Sequence, residues 1–153
     1  MWYNIEKGGK NTMTVYKRKI NYYETDRMGI THHSNYVRFM EEARVDFLER
    51  QGCSYAALEE MGVISPVLAV NCEYKESTTF GDELEVAVSL VEYNGVKMKF
   101  EYRMTKENGT RQVAFATSEH CFLSREGRVL IVKRAYPELH ATLGGLLEAA
   151  KSE

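Results

Sequence analysis

At 153 residues the chain has the length of one domain, and 44% hydrophobic against 27% charged residues is too apolar for a disordered chain. Its 20 basic and 22 acidic residues leave a net charge of −2, so no global positive field draws it to nucleic acid or anionic lipid. Three cysteines, Cys53, Cys72 and Cys121, with no Cys-x-x-Cys pair, argue against a disulfide framework or a structural zinc and for thiols in a reducing cytoplasm.

Residues 1–12 read as a loose leader, too polar for a signal peptide. Residues 13–20 read as a first strand. The stretch 21–34 keeps no period and is a long loop, which hints at function. From there Tyr36, Phe39, Met40, Ala43 and Phe47 form the stripe of an amphipathic helix. Ser34 or Asn35 serves as its N-cap, Gly52 stops it, and Asp46 pairs with Arg50 one turn on. A short second helix over 54–61 ends at Gly62. Beyond it the period falls to two. Segments 67–75, 83–90 and 96–104 alternate apolar and polar residues, the pattern of half-buried strands in an antiparallel sheet with one wet face. Asn94-Gly95 and Asn108-Gly109 are hairpin turns. A strand over 111–123 comes next, then a turn over 124–127 into a strand over 129–132. Pro137 opens a terminal helix over 138–153.

The expected order is strand, long loop, one principal helix and a meander of five strands. Strands segregated from the helix mean an α+β domain spanning 1–153, with the helix laid across the apolar face of a curved sheet. Its open strand edges are expected to be covered by edge-to-edge dimerisation. No apolar run approaches the about 18–20 residues that span a bilayer, so no membrane partner is expected.

The long loop reads Tyr22-Tyr23-Glu24-Thr25-Asp26-Arg27-Met28-Gly29-Ile30-Thr31-His32-His33-Ser34-Asn35-Tyr36. Only three of the 22 acidic residues are aspartates, and Asp26 alone lies outside any helix pairing or short turn. On spacing it either caps a turn or serves as a carboxylate that activates water or attacks a carbonyl. The first amides of the following helix, at the positive end of its dipole, are placed to hold an oxyanion. His33 and Tyr22 either add hydrogen bonds there or stand as an exposed ring and a packing residue. Gly29 lets the backbone turn or approach a ligand. Adjacent His32 and His33 without a second spaced histidine do not suit a metal, and no cofactor motif is present. His120 alternates along a strand with no evident partner and reads as structural.

The pattern Tyr22-x-Glu24-Thr25-Asp26-x-x-Gly29-x-x-x-His33-x-Asn35-Tyr36, then Phe39-Met40-Glu41-x-Ala43-Arg44, resembles the opening of the 4-hydroxybenzoyl-CoA thioesterase family. Phe80-Gly81-Asp82-x-Leu84 and Arg134-x-Tyr136-Pro137 continue the resemblance over about residues 14–137. It implies the hotdog fold, a curved antiparallel sheet wrapped round one long central helix. It also implies hydrolysis of an acyl-CoA, or of an acyl carrier protein conjugate, by a cytoplasmic homodimer or homotetramer with its active site at the subunit interface. The resemblance makes Asp26 the catalytic carboxylate, as nucleophile or general base, with His33 and Tyr22 beside it. Gly29, His32, Asn35 and Arg134 are the expected substrate-binding residues. His32, Glu24 and the pair Arg27-Met28 depart from the commoner family residues and bear on the acyl pocket. The alternative in another class is a non-catalytic acyl-CoA-binding protein on the same fold.

Overall fold

The computed structural model describes residues 14–152. The expected leader over 1–12 lies outside them. The strands are β1 (Thr14–Lys19), β2 (Val63–Ile64), β3 (Val67–Tyr74), β4 (Glu83–Tyr93), β5 (Lys97–Lys106), β6 (Arg111–Cys121) and β7 (Leu123–Ser124). The helices are α1 (Asn35–Arg50), α2 (Tyr55–Glu60), α3 (Val132–Ala135) and α4 (Pro137–Lys151), and a 3-10 turn covers Tyr22–Glu24.

α1 forms where the apolar stripe predicts it and buries Tyr36, Phe39, Met40, Ala43, Phe47 and Leu48. Its end is a Schellman motif. Gly52 takes φ +78°, its N–H reaches the Glu49 carbonyl at 3.1 Å, and the Cys53 N–H reaches that of Leu48 at 3.0 Å. Asp46 and Arg50 pair at 3.0 Å as their spacing requires. Ser34 occupies the N-cap, but its hydroxyl bonds the His32 ring rather than a helix amide.

The sheet has five strands in the order β1-β4-β5-β6-β3. Only β4, β5 and β6 form a simple meander. β3 crosses over and pairs with β6, which corrects the expected sequential order and leaves β3 at an edge. On the inner face large residues of β5 oppose small ones of β6. Met104 faces Ala114, Tyr102 faces Ala116 and Phe100 faces Ser118. Phe47 of α1 packs edge-on to Phe100 at 5.9 Å. The predicted strand over 129–132 is a second correction. Val129 makes a single bridge to Leu123, and the chain then coils into α3 with Val132 fully buried. β7 pairs with β2 on one edge and meets Val129 on the other.

β3 departs from the half-buried pattern that its alternation predicts. Val67, Leu68, Val70 and Tyr74 on this edge strand are 42–50% exposed. All three cysteines are free. Burial pushes the Cys53 thiol up to about 11, so it stays protonated and inert.

His120 does have partners. Arg44 Nη1 donates to the Tyr102 hydroxyl at 3.0 Å, that hydroxyl meets Ser118 Oγ at 2.7 Å, and Ser118 Oγ meets His120 Nε2 at 2.7 Å. All four residues are buried inside the core. Burial, and then the charge of Arg44, lower the imidazole to about 4. In the unfolded chain it titrates at its ordinary value of about 6.5, so the unfolded state binds this proton more tightly. Its stabilisation is therefore complete above about pH 6.5 and is lost as pH falls towards 4, on the order of 3 kcal/mol in all. Urea unfolding at pH 7 and pH 4.5 is expected to show a larger loss for the native chain than for His120→Asn. Equal losses would refute the assignment.

Candidate active site

After β1 the chain turns through Tyr22–Glu24, and Glu24 organises the loop beyond it. Its carboxylate, 4% exposed, accepts from Arg18 Nη1 at 2.6 Å and from the Asn21 N–H at 2.7 Å. Its carbonyl accepts from the His32 N–H at 2.8 Å and from Asn35 Nδ2 at 2.9 Å. One residue thus ties β1, the loop and the first turn of α1 together. Between these ties, residues 25–31 fold back as a small hairpin closed by a Thr25–Thr31 bridge. The Asp26 N–H reaches the Ile30 carbonyl at 2.9 Å, and the Gly29 N–H returns to the Asp26 carbonyl at 3.0 Å. Gly29 turns the chain with φ +78°, a conformation that a side chain would strain.

The hairpin is strapped to the segment after β3. Thr79 Oγ1 donates to the Gly29 carbonyl at 2.7 Å, and the Thr31 N–H donates to the Thr78 carbonyl at 2.8 Å. The Thr31 and Thr78 hydroxyls meet at 2.6 Å, and the Tyr36 hydroxyl joins Thr78 at 2.9 Å. These buried hydroxyls satisfy one another and hold the hairpin against the start of α1.

The result is a cleft of about 260 Å³ lined by Asp26, Met28, Thr31, His33, Tyr36 and Tyr74 among others. Asp26 Oδ1 accepts the Met28 N–H at 2.8 Å, while Oδ2 has no partner among the described residues. The aspartate therefore caps a turn, the first of the readings its spacing allowed, and it also lines the cleft. His33 lines the same cleft, two residues ahead of α1. Its ring stacks on His32 at 4.2 Å, and its N–H has no acceptor among the described residues. Arrayed this way, the cleft offers a carboxylate oxygen, an imidazole and an unspent backbone donor beside the positive end of a 16-residue helix.

Of the other expected residues, Gly29 shapes the hairpin and Asn35 clamps Glu24, so both act on the cleft from behind. His32 is exposed and held by Ser34. Tyr22 is 77% exposed, packs edge-on to Phe80 at 5.7 Å and lies outside the cleft of this one chain. Arg134 is exposed on α3, and neither it nor Arg125, which donates to the Glu59 carbonyl, lines the cleft. Sequence reasoning missed Tyr36 and Tyr74 as lining residues and the Thr31–Thr78 pair behind them. Tyr36 sat in the helix stripe and Tyr74 in the alternation of β3, so each read as packing. A larger hollow of about 520 Å³ beside α4 is lined by Lys97, Lys99 and Leu147 and holds no carboxylate–histidine pair. Among the described residues no group of His, Cys, Asp or Glu is arranged to hold a metal ion, and no helix is long and apolar enough to cross a membrane.

Residues 20–144 match the family model of the thioesterase-like superfamily. The chain belongs to that superfamily. It is a thioester hydrolase by family and has the hotdog fold. A Bacillus subtilis protein named as a candidate acyl-CoA thioesterase, YneP, is 34% identical over 84% of this chain and 94% of its own. The acyl-CoA thioester hydrolase YbgC of Escherichia coli is 28% identical over 60% of this chain and 69% of its own. The crystal structure of a DHNA-CoA thioesterase from Staphylococcus aureus superposes with a TM-score of 0.86 at 26% identity, covering 92% of this chain and 94% of that one. The thioesterase-like match takes in the hairpin, α1 and strands β2 to β7, so the residues that line the cleft fall within it.

Proposed function

We propose that this chain hydrolyses an acyl-CoA thioester to the free acid and CoA, with Asp26 as the catalytic carboxylate. The observation that carries the proposal is the cleft itself. Asp26 Oδ1 is fixed by the Met28 amide, its Oδ2 is unspent, and His33 shares the same cleft. A thioester carbonyl seated at the foot of α1 develops negative charge on oxygen as it is attacked. The His33 N–H and the helix dipole stabilise that charge. Asp26 supplies the attack in one of two ways. As a general base it takes a proton from water, and the hydroxide adds to the carbonyl carbon. As a nucleophile it adds directly, giving a mixed anhydride that water then cleaves. In both courses the C–S bond breaks as the tetrahedral intermediate collapses, and CoA leaves as the thiolate. A single turnover in ¹⁸O-labelled water tests the second course, since attack of water on the aspartyl carbon of the anhydride leaves label in Asp26, which general-base hydrolysis cannot do.

The working form is proposed to be a homodimer in the cytoplasm, dimers pairing further into tetramers. β3 presents an unpaired backbone edge and four exposed apolar side chains, a row that a second β3 running antiparallel would cover. The experiment that tests the function is a panel of aromatic, short-chain and long-chain acyl-CoA substrates, with free thiol detected as it is released. Turnover of at least one class is expected. Tight binding without turnover across the panel would favour the non-catalytic reading, and turnover only of carrier-protein conjugates would move the substrate class. Sedimentation that finds only monomer at micromolar concentration would refute the assembly.

A further inference from the structure

Tyr74 stands at the far end of β3, on the open edge of the sheet, and its side chain is directed at the foot of α1. Its hydroxyl donates to the His33 carbonyl at 3.0 Å. Its ring meets the His33 ring edge-on at 6.4 Å and the Tyr36 ring edge-on at 5.2 Å. The Tyr36 hydroxyl is already engaged by Thr78, so the two tyrosines hold different parts of the same turn. The His33 carbonyl also receives the Tyr36 N–H at 3.2 Å. Tyr74 therefore adds a second donor to the peptide that fixes where the His33 ring stands.

We propose that Tyr74 is a positioning residue, which sets the orientation of His33 in the cleft that Asp26 lines. The proposal rests on the thioesterase reading of that cleft. Two observations make Tyr74 a positioning residue rather than a proton donor to the leaving thiolate. Its one hydroxyl proton is committed to the His33 carbonyl. Burial and the neighbouring Cys72 raise its phenol to about 12, so it holds this proton throughout the neutral range. What it supplies is a fixed hydrogen bond and a ring face, both directed at His33. The second element that reaches this peptide is α1 itself, so β3 is the part of the sheet that indexes the helix to the cleft.

The variant Tyr74→Phe removes the hydroxyl and keeps the ring packing. Loss of one such hydrogen bond corresponds to about a tenfold effect. We expect kcat to fall about tenfold on the best acyl-CoA of the panel, with KM and the sedimentation coefficient unchanged. A kcat within twofold of the native value would overturn the proposal, as would a rise in KM matching the loss, which would place Tyr74 in substrate binding. A second readout does not need turnover. In histidine side-chain NMR spectra the His33 ring resonances, and those of His32 stacked on it, are expected to move in Tyr74→Phe while those of His120 and His140 stay. An unmoved His33 would refute the positioning role even if the native chain hydrolysed none of the panel, a result that would count separately against the thioesterase reading.

Discussion

Asp26→Asn is expected to lower kcat on the best acyl-CoA by about 10³-fold and to leave the fold unchanged. The substitution is nearly isosteric. Its amide oxygen still accepts the Met28 N–H, so the hairpin over 25–31 keeps its internal bonds. What disappears is the charge and basicity of the unspent oxygen. General-base assistance is worth about 10² to 10⁴ in rate, and loss of a nucleophile costs at least as much. The Asp26 side chain also accepts no hydrogen bond from the core, so little stability depends on its charge. The thermal midpoint should therefore stay within a few degrees. His33→Ala provides the comparison. The backbone N–H and the helix dipole survive that change, so its loss is expected to be smaller, roughly 10- to 100-fold, in the range of a single oxyanion donor or less. If Asp26→Asn kept a tenth or more of native turnover, the carboxylate would not be the catalytic group. If His33→Ala were the more damaging of the two, the roles would need to be exchanged.

The features legible in the sequence are those made by short-range interactions. α1, its Gly52 stop and the Asp46–Arg50 pair depend on neighbours within one or two turns, and periodicity exposes them. The alternating strands and the Asn-Gly turns are equally local. The hairpin around Asp26 stood out because its residues suit neither period, and a long aperiodic stretch ahead of a helix is where a site can be built. The place of β3 beside β6 was hidden, since alternation says which face is apolar and not which strand is the neighbour. The exposure of Val67, Leu68 and Val70 was hidden for the same reason: an apolar side chain on an uncovered edge looks, in sequence, like one in the core. Tyr74 and Glu24 were legible only as a strand residue and a departure from a motif. Their roles arise from contacts 41 residues apart in one case and from four separate partners in the other. The strand expected over 129–132 shrinks to the single Val129–Leu123 bridge, because the chain beyond it turns into α3. Val132 buries itself by coiling instead.

Arg18→Met should be the most destabilising single change near the site. The guanidinium holds Glu24 at 2.6 Å and Glu42 at 3.2 Å, and it lies over the Phe39 ring at 4.2 Å. The two ends differ in what they lose. Glu42 is 40% exposed in its side chain and can be hydrated when Arg18 is gone, whereas Glu24 is only 5% exposed and cannot. Methionine preserves much of the packing on Phe39 but leaves the Glu24 carboxylate buried beside a single amide donor. Removing one partner of a buried pair costs about 3–5 kcal/mol, and the lower figure suits a pair that keeps the Asn21 N–H. For a domain of this size that corresponds to a fall in melting temperature of about 10 °C. The double variant Arg18→Met/Glu24→Gln removes the stranded charge while keeping an acceptor for Asn21, so it should recover more than half of the loss. Thermal unfolding of the three proteins at one concentration measures this directly. A double variant as unstable as the single one would mean that packing against Phe39, and not the charge on Glu24, is what Arg18 provides. Because the Glu24 carbonyl also carries His32 and Asn35, the single variant is expected to lose turnover at temperatures well below its unfolding transition. The strut that stabilises the fold thus also ties β1 to the first turn of α1, where the cleft begins.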